Sequence, residues 1–155
     1  MKRVLSRVVS WGHELLAETI TEGHLAVDLT AGNGYDTLML SGMVGVTGQV
    51  VAFDIQPEAL QSSRNRLEAA GAAVRMWQNV SGPVPRQAGV DLIEAGNEDL
   101  HHYLPDSPQG IVANLGYFPS GDRQIVTMPE TTLKALQHSC DVMAPGGRLA
   151  VVVYT

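Results

Sequence analysis

Apolar positions along this chain recur with two periods, and the way the periods alternate predicts the fold. Val4, Leu5, Val8, Val9, Leu15, Leu16 and Ile20 repeat every three to four residues, which predicts an amphipathic helix over about residues 2–22 with Gly23 at its stop. Leu25-Ala26-Val27-Asp28-Leu29 is a short apolar run between turn residues, the pattern of a buried strand. Helical spacing returns from Gly34 to about Val44, followed by a second strand, Gln49-Val50-Val51-Ala52-Phe53-Asp54. Pro57 suits a first helical turn, and that helix is expected to run through Leu60 and Leu67 to about Gly71. Ala73–Trp77 reads either as a strand or as an extension of the helix, and Ser81–Pro85 as a loop. Val90–Glu94 and Gly110–Leu115 are expected as further strands, Pro129 to about Met143 as a helix, and Arg148–Tyr154 as the last strand. Strands alternating with helices predict an α/β fold, a mostly parallel sheet with helices on both faces, in a single domain over residues 1–155.

Composition narrows the class. At 155 residues, with 45% hydrophobic and 17% charged, the chain is expected to form a packed core. No apolar run approaches the roughly 20 residues that span a bilayer, so no membrane partner is expected. The basic start, Lys2-Arg3…Arg7, is interrupted by Trp11, His13, Glu14 and Glu18 and does not read as an export signal. Cys140 is the only cysteine, so no internal disulfide can form, and a cytoplasmic location is expected. The net charge of −6 argues against a wide, non-specific grip on nucleic acid, though not against a short patch. Lys2, Arg3 and Arg7 form one local basic group, and Arg64, Arg66 and Arg75 are candidates for another.

In open α/β sheets ligands bind beyond the carboxyl ends of the strands. The loop Asp28-Leu29-Thr30-Ala31-Gly32-Asn33-Gly34 leaves a strand and opens a helix, where glycine permits close ligand approach. Thr37 occupies the position where a dinucleotide fingerprint needs its third glycine, so nicotinamide is disfavoured. The pattern D-x-x-x-G-x-G instead resembles motif I of class I methyltransferases. Asp54, ending the second strand, can accept from ribose hydroxyls, with Ile55 against an adenine face; alternatively Asp54 caps the helix that follows. Gly96-Asn97 stands where such enzymes contact adenine, or caps a helix. Asn114-Leu115-Gly116-Tyr117 resembles, without its proline pair, the N/D-P-P-Y/F motif of methyltransferases acting on amino nitrogens. There the asparagine aligns the amine and catalysis is largely proximity. The competing reading is a turn with a packed tyrosine. Asp122 and Arg123 are candidates to grip substrate; His13 either reaches the site or caps the core. His101 and His102 lack metal-ligand companions at useful spacing, so no metal is expected, and Cys140 reads as packing rather than nucleophile.

Taken together, DLTAGNGYDT (28–37), DIQPEAL (54–60), NLGYFPSGD (114–122) and TMPETTL (127–133) resemble the YtqB-like, or MnmM, family of small class I S-adenosylmethionine-dependent methyltransferases, the rRNA methylase-like proteins. The resemblance covers nearly the whole chain except residues 72–89, which read as an insertion. It implies a Rossmann-like fold, S-adenosylmethionine as cofactor, and methylation of an aminomethyl group on a modified wobble uridine of tRNA. By position, Asp28, Thr30, Gly32, Asn33, Gly34, Asp54, Ile55, Gln56, Asn97 and Asn114 would hold the cofactor. Asn114, Tyr117 and Asp122 would face the reaction, and His13 matches a recurring histidine of the first helix. This chain departs from the family at Tyr35, His24 and Gly96-Asn97. It also stops at Tyr154-Thr155 where the family continues, so its C-terminal strands are expected to be missing and its last strand to be an edge. An rRNA or small-molecule amine methyltransferase and a non-catalytic S-adenosylmethionine-binding module are the alternatives; a homodimer is possible.

Overall fold

The computed structural model describes residues 2–115 and 129–153. In chain order the elements are α1 (Lys2–Ala17), β1 (Leu25–Asp28), α2 (Tyr35–Val44), β2 (Gln49–Asp54), α3 (Pro57–Ala69), β3 (Val74–Trp77) and β4 (Gly89–Glu94). A 3-10 helix (Asn97–His102), β5 (Gly110–Leu115), α4 (Pro129–Val142) and β6 (Arg148–Val153) follow. The six strands form one sheet in the order β3-β4-β2-β1-β5-β6, and every pairing is parallel.

Side chains alternate across each strand, so each strand feeds two cores. On one face Ala26, Val50, Ala52, Val90, Leu92 and Val112 pack under Leu16, Ile20, Leu40, Val44, Leu60 and Leu67, from α1 and its exit, α2 and α3. On the other, Leu25, Val27, Val51, Phe53, Ile93 and Ile111 pack with Leu100 of the 3-10 helix and Ala135 of α4. The 3-10 helix was not foreseen. It is tied to α4 by His138 Nδ1, which donates to the Glu98 carbonyl at 2.6 Å, and by contact of the tilted His101 and His138 rings, with centroids 4.0 Å apart.

Several expectations change in detail. α1 ends at Ala17, not near residue 22; the Thr19 N–H tightens the last turn by donating to the Leu16 carbonyl three residues back, an acceptor it shares with the Ile20 N–H. Gly23, at φ 86°, serves the entry to β1 by donating to the Val44 carbonyl. Leu16 is fully buried, whereas Val8, Trp11 and Leu15 are exposed, because α1 covers only the β5–β6 side of the sheet. Residues 74–77 are a strand, not an extension of α3. The chain turns at Gly71, φ 86°, and β3 adds to the sheet edge beside β4. Arg64, Arg66 and Arg75 are not a common patch. Arg64 pairs with Glu68, Arg66 donates to the Asn33 carbonyl, and Arg75 pairs with buried Asp91. Cys140 is exposed on α4 and is not core packing. β6 is an edge among the described residues, with Val153 62% exposed. No described helix is long and apolar enough to cross a membrane.

Candidate functional site

Strand order reverses at β1: the chain first adds β2 on one side and later β5 on the other. Such a switch point opens a crevice above the carboxyl ends of the strands. The loop leaving β1 is stretched across it, with the Leu29 N–H donating to Val112 of β5 and the Ala31 N–H to Phe53 of β2, both at 2.9 Å. Gly32 and Gly34 are left-handed, φ 52° and 84°. They differ in what surrounds them. A Cβ on Gly34 would lie 2.8 Å from Ser63 Cα, so this glycine lets α3 approach the loop. A Cβ on Gly32 would meet nothing nearer than the Thr30 carbonyl at 3.8 Å, so the loop is open to a ligand there.

Asp54 holds this loop in place. Its Oδ2 accepts from the Gly32 N–H at 3.0 Å and its Oδ1 from the Gln56 N–H at 2.9 Å, so Asp54 shapes the turn into α3 without being its cap residue. Burial raises its pKa from the ordinary value, opposed by the N–H groups of Gln56, Gly32 and Ile55. Ile55 is 55% exposed beside it. Gln56 itself is the N-cap of α3 and makes no side-chain capping bond. Asn33 turns its side chain to the Ser62 hydroxyl, which donates to Oδ1 at 3.1 Å. Asn97 donates from Nδ2 to the Leu29 carbonyl at 2.9 Å, which braces the loop from beyond β4, over the end of β2. Thr30 joins the two sides of the crevice: its hydroxyl oxygen accepts from the Asn114 N–H at 2.8 Å.

Beneath the loop lies a pair of acids. Asp28 is fully buried; it accepts from the Thr30 N–H at 2.9 Å and from the Thr37 hydroxyl at 2.6 Å. Burial, then the nearby Asp36 carboxylate, push its pKa up to about 7. Asp36, in the first turn of α2, is 8% exposed and accepts from His13 Nε2 at 2.7 Å and from Asn114 Nδ2 at 3.4 Å. His13 therefore reaches the site from α1. Asp36 and Thr37 carry no site signal in the sequence. An acid in a first helical turn reads as a surface residue favoured by the helix dipole, and nothing local signals a partner 23 positions earlier. Tyr117 and Asp122, expected at the reaction centre, lie outside the described residues.

The donor set fits S-adenosylmethionine. Asp54 offers a partly exposed carboxylate suited to ribose hydroxyls, Ile55 an apolar surface suited to an adenine face, and Gly32 an open backbone. Comparison with known proteins agrees. Residues 50–155 match the model of the family described as "Putative rRNA methylase". The chain belongs to this family. Residues 6–88 also match the model of protein-L-isoaspartate O-methyltransferases, another methyltransferase family. A protein of Clostridium thermocellum described in the same words as the rRNA methylase family superposes with a TM-score of 0.81 at 34% identity, over 94% of this chain and 71% of that one. A Streptococcus mutans protein described as a methyltransferase and solved in complex with SAH superposes at 0.76 and 31% identity, over 94% and 72%. The tRNA (mnm(5)s(2)U34)-methyltransferase of Arabidopsis thaliana chloroplasts is 31% identical over 149 residues, 92% of this chain and 50% of that protein. The chain spans about half the length of the first curated relatives it matches. The rRNA methylase family thus has the Rossmann-like fold of S-adenosylmethionine-dependent methyltransferases.

Proposed function

We propose that this chain transfers a methyl group from S-adenosylmethionine to an amine nitrogen, the aminomethyl group of a modified wobble uridine in tRNA. The observation that carries the reading is Asn114. It lies one residue before the end of β5, beside the glycine loop, with its backbone N–H held by Thr30 and its side-chain NH2 turned to Asp36, which leaves the amide oxygen as an acceptor for an amine N–H. Asp54, Ile55 and Gly32 bind and orient the cofactor, which supplies an electrophilic methyl group. The residues' task is alignment, because an amine held near a methyl donor in the right geometry needs no covalent help from the protein. The substrate named for the Arabidopsis relative supports the tRNA choice.

The test is nucleoside mass spectrometry of tRNA carrying the unmethylated aminomethyl uridine, incubated with the chain and S-adenosylmethionine. Conversion to the methylaminomethyl nucleoside is expected. An unchanged nucleoside, with cofactor binding intact in calorimetry, would overturn the tRNA reading; rRNA, favoured by the family's description, is then the substrate to assay.

A further inference from the structure

A hydrogen-bonded chain of side chains runs from α1 through α2 to β5, and only its last member, Asn114, faces the amine in the proposed reaction. His13 Nε2 lies 2.7 Å from Asp36 Oδ1, and Asn114 Nδ2 lies 3.4 Å from Asp36 Oδ2. A carboxylate can only accept, so both neighbours must present N–H to it. His13 therefore carries its proton on Nε2, and Asn114 turns its NH2 inward. An amide is planar with oxygen opposite nitrogen, so fixing the NH2 also fixes where the oxygen points. Left alone, the terminal torsion of asparagine is broad and nearly two-fold. A flipped amide would present its NH2 to the amine, whose only acceptor is the lone pair that must attack the methyl group. The Asn114 backbone cannot prevent this flip, because its N–H bond to Thr30 leaves the side-chain torsion free.

We propose that Asp36, braced by His13, is a positioning residue that holds the Asn114 amide oxygen toward the methyl acceptor, so that the site selects a group able to donate a hydrogen bond. Asp36 is suited to this by burial. At 8% exposure it has little water to turn to, and its two oxygens are committed to two partners on different elements. His13 is the outer member; its side chain is 25% exposed and sits on a helix packed against β5 and β6. The proposal rests on Asn114 being the amine acceptor.

The experiment compares Asp36→Ala, His13→Phe and His13→Gln with the unaltered chain, measuring kcat on the aminomethyl-uridine tRNA and cofactor affinity by calorimetry. Glutamine can donate to Asp36 in place of the imidazole, and phenylalanine cannot. Asp36→Ala and His13→Phe are expected to lower kcat about tenfold or more, the loss of roughly one hydrogen bond to a charged group, with cofactor affinity within about twofold. His13→Gln is expected to retain most of the rate. Equal losses in His13→Gln and His13→Phe, or unchanged kcat in Asp36→Ala, would overturn the proposal. A second readout needs no substrate: the two side-chain amide protons of Asn114 in a 15N-correlated NMR spectrum. The proton bonded to Asp36 should be shifted away from the free-amide position in the unaltered chain and return toward it in Asp36→Ala. If the unaltered chain methylates no tRNA, the substrate reading fails. The amide signals then decide positioning, and their persistence in Asp36→Ala refutes it.

Discussion

Two aspartates in the same sheet, Asp91 in β4 and Asp28 in β1, are both fully buried, yet they are surrounded in opposite ways. Asp91 is saturated. Arg75 donates to both of its oxygens, from Nε at 2.7 Å and from Nη2 at 2.9 Å. Trp77 Nε1 and Gln49 Nε2 add bonds at 2.8 Å and 2.7 Å. Donors from β2 and β3 thereby converge on β4, and the added edge strand is fastened to the sheet. Asp28 has no cationic partner among the described residues. It has two donors, Thr30 and Thr37, and a second acid, Asp36, beside it. A buried charge that is paired and fully bonded supports the fold; one left short of positive charge beside another acid is costly, and such sites are where ligands and chemistry are found. The strand-end cluster is the half of this contrast that a cationic cofactor or substrate would relieve.

The contrast can be broken by removing its structural half. Asp91→Ala leaves Arg75 and Gln49 without their acceptor. It should lower unfolding stability by about 3–5 kcal/mol, the usual cost of breaking a buried pair from one side, read from denaturant midpoints. A loss under about 1 kcal/mol would mean that Arg75, whose side chain is 27% exposed, simply turns to solvent and that Asp91 is no anchor. A middle-sized effect is expected at the functional half. Asp54→Ala removes the acceptor of the Gly32 and Gln56 N–H groups and should weaken S-adenosylmethionine binding tenfold to a hundredfold, about 1.5–3 kcal/mol. Calorimetric affinity equal to that of the unaltered chain would remove Asp54 from the cofactor site.

The last effect sharpens the comparison through pH. The pKa of Asp28 in the folded chain, about 7, lies above its ordinary 3.8, so folding favours the protonated form. Its contribution to stability is therefore fully present below about pH 4, is lost as pH rises toward 7, and is constant above that. Asp28→Asn keeps an oxygen for the Thr30 N–H and cannot ionise. Its stability relative to the unaltered chain should climb between about pH 4 and pH 7. Parallel stability curves over that range would show that Asp28 does not titrate there.

Much of the site was legible because its residues sit at strand ends, where an apolar run stops and a polar residue follows: Asp28, Asp54 and Asn114 are each found that way. Asn33 and Asn97 show the limit of the same reasoning. Both lie at the crevice, but their side chains are committed to Ser62 and to the Leu29 carbonyl, partners that no local pattern names. Residues 72–89 were ambiguous for a related reason. A four-residue edge strand is half-buried throughout, so it carries no clean alternation, and what makes it a strand is Arg75 and Trp77 reaching Asp91.

The sequence by itself determined the alternation of strand and helix, the parallel sheet, the glycine loop and the acids and amide at the strand ends. These follow from apolar periodicity and turn chemistry, which act over a few residues. Tertiary structure alone decided which polar groups meet. The 23 positions between His13 and Asp36, and the 78 between Asp36 and Asn114, are closed only when α1, α2 and β5 pack together. A hydrogen bond depends on where two atoms lie in space, and spacing along the chain carries almost none of that information.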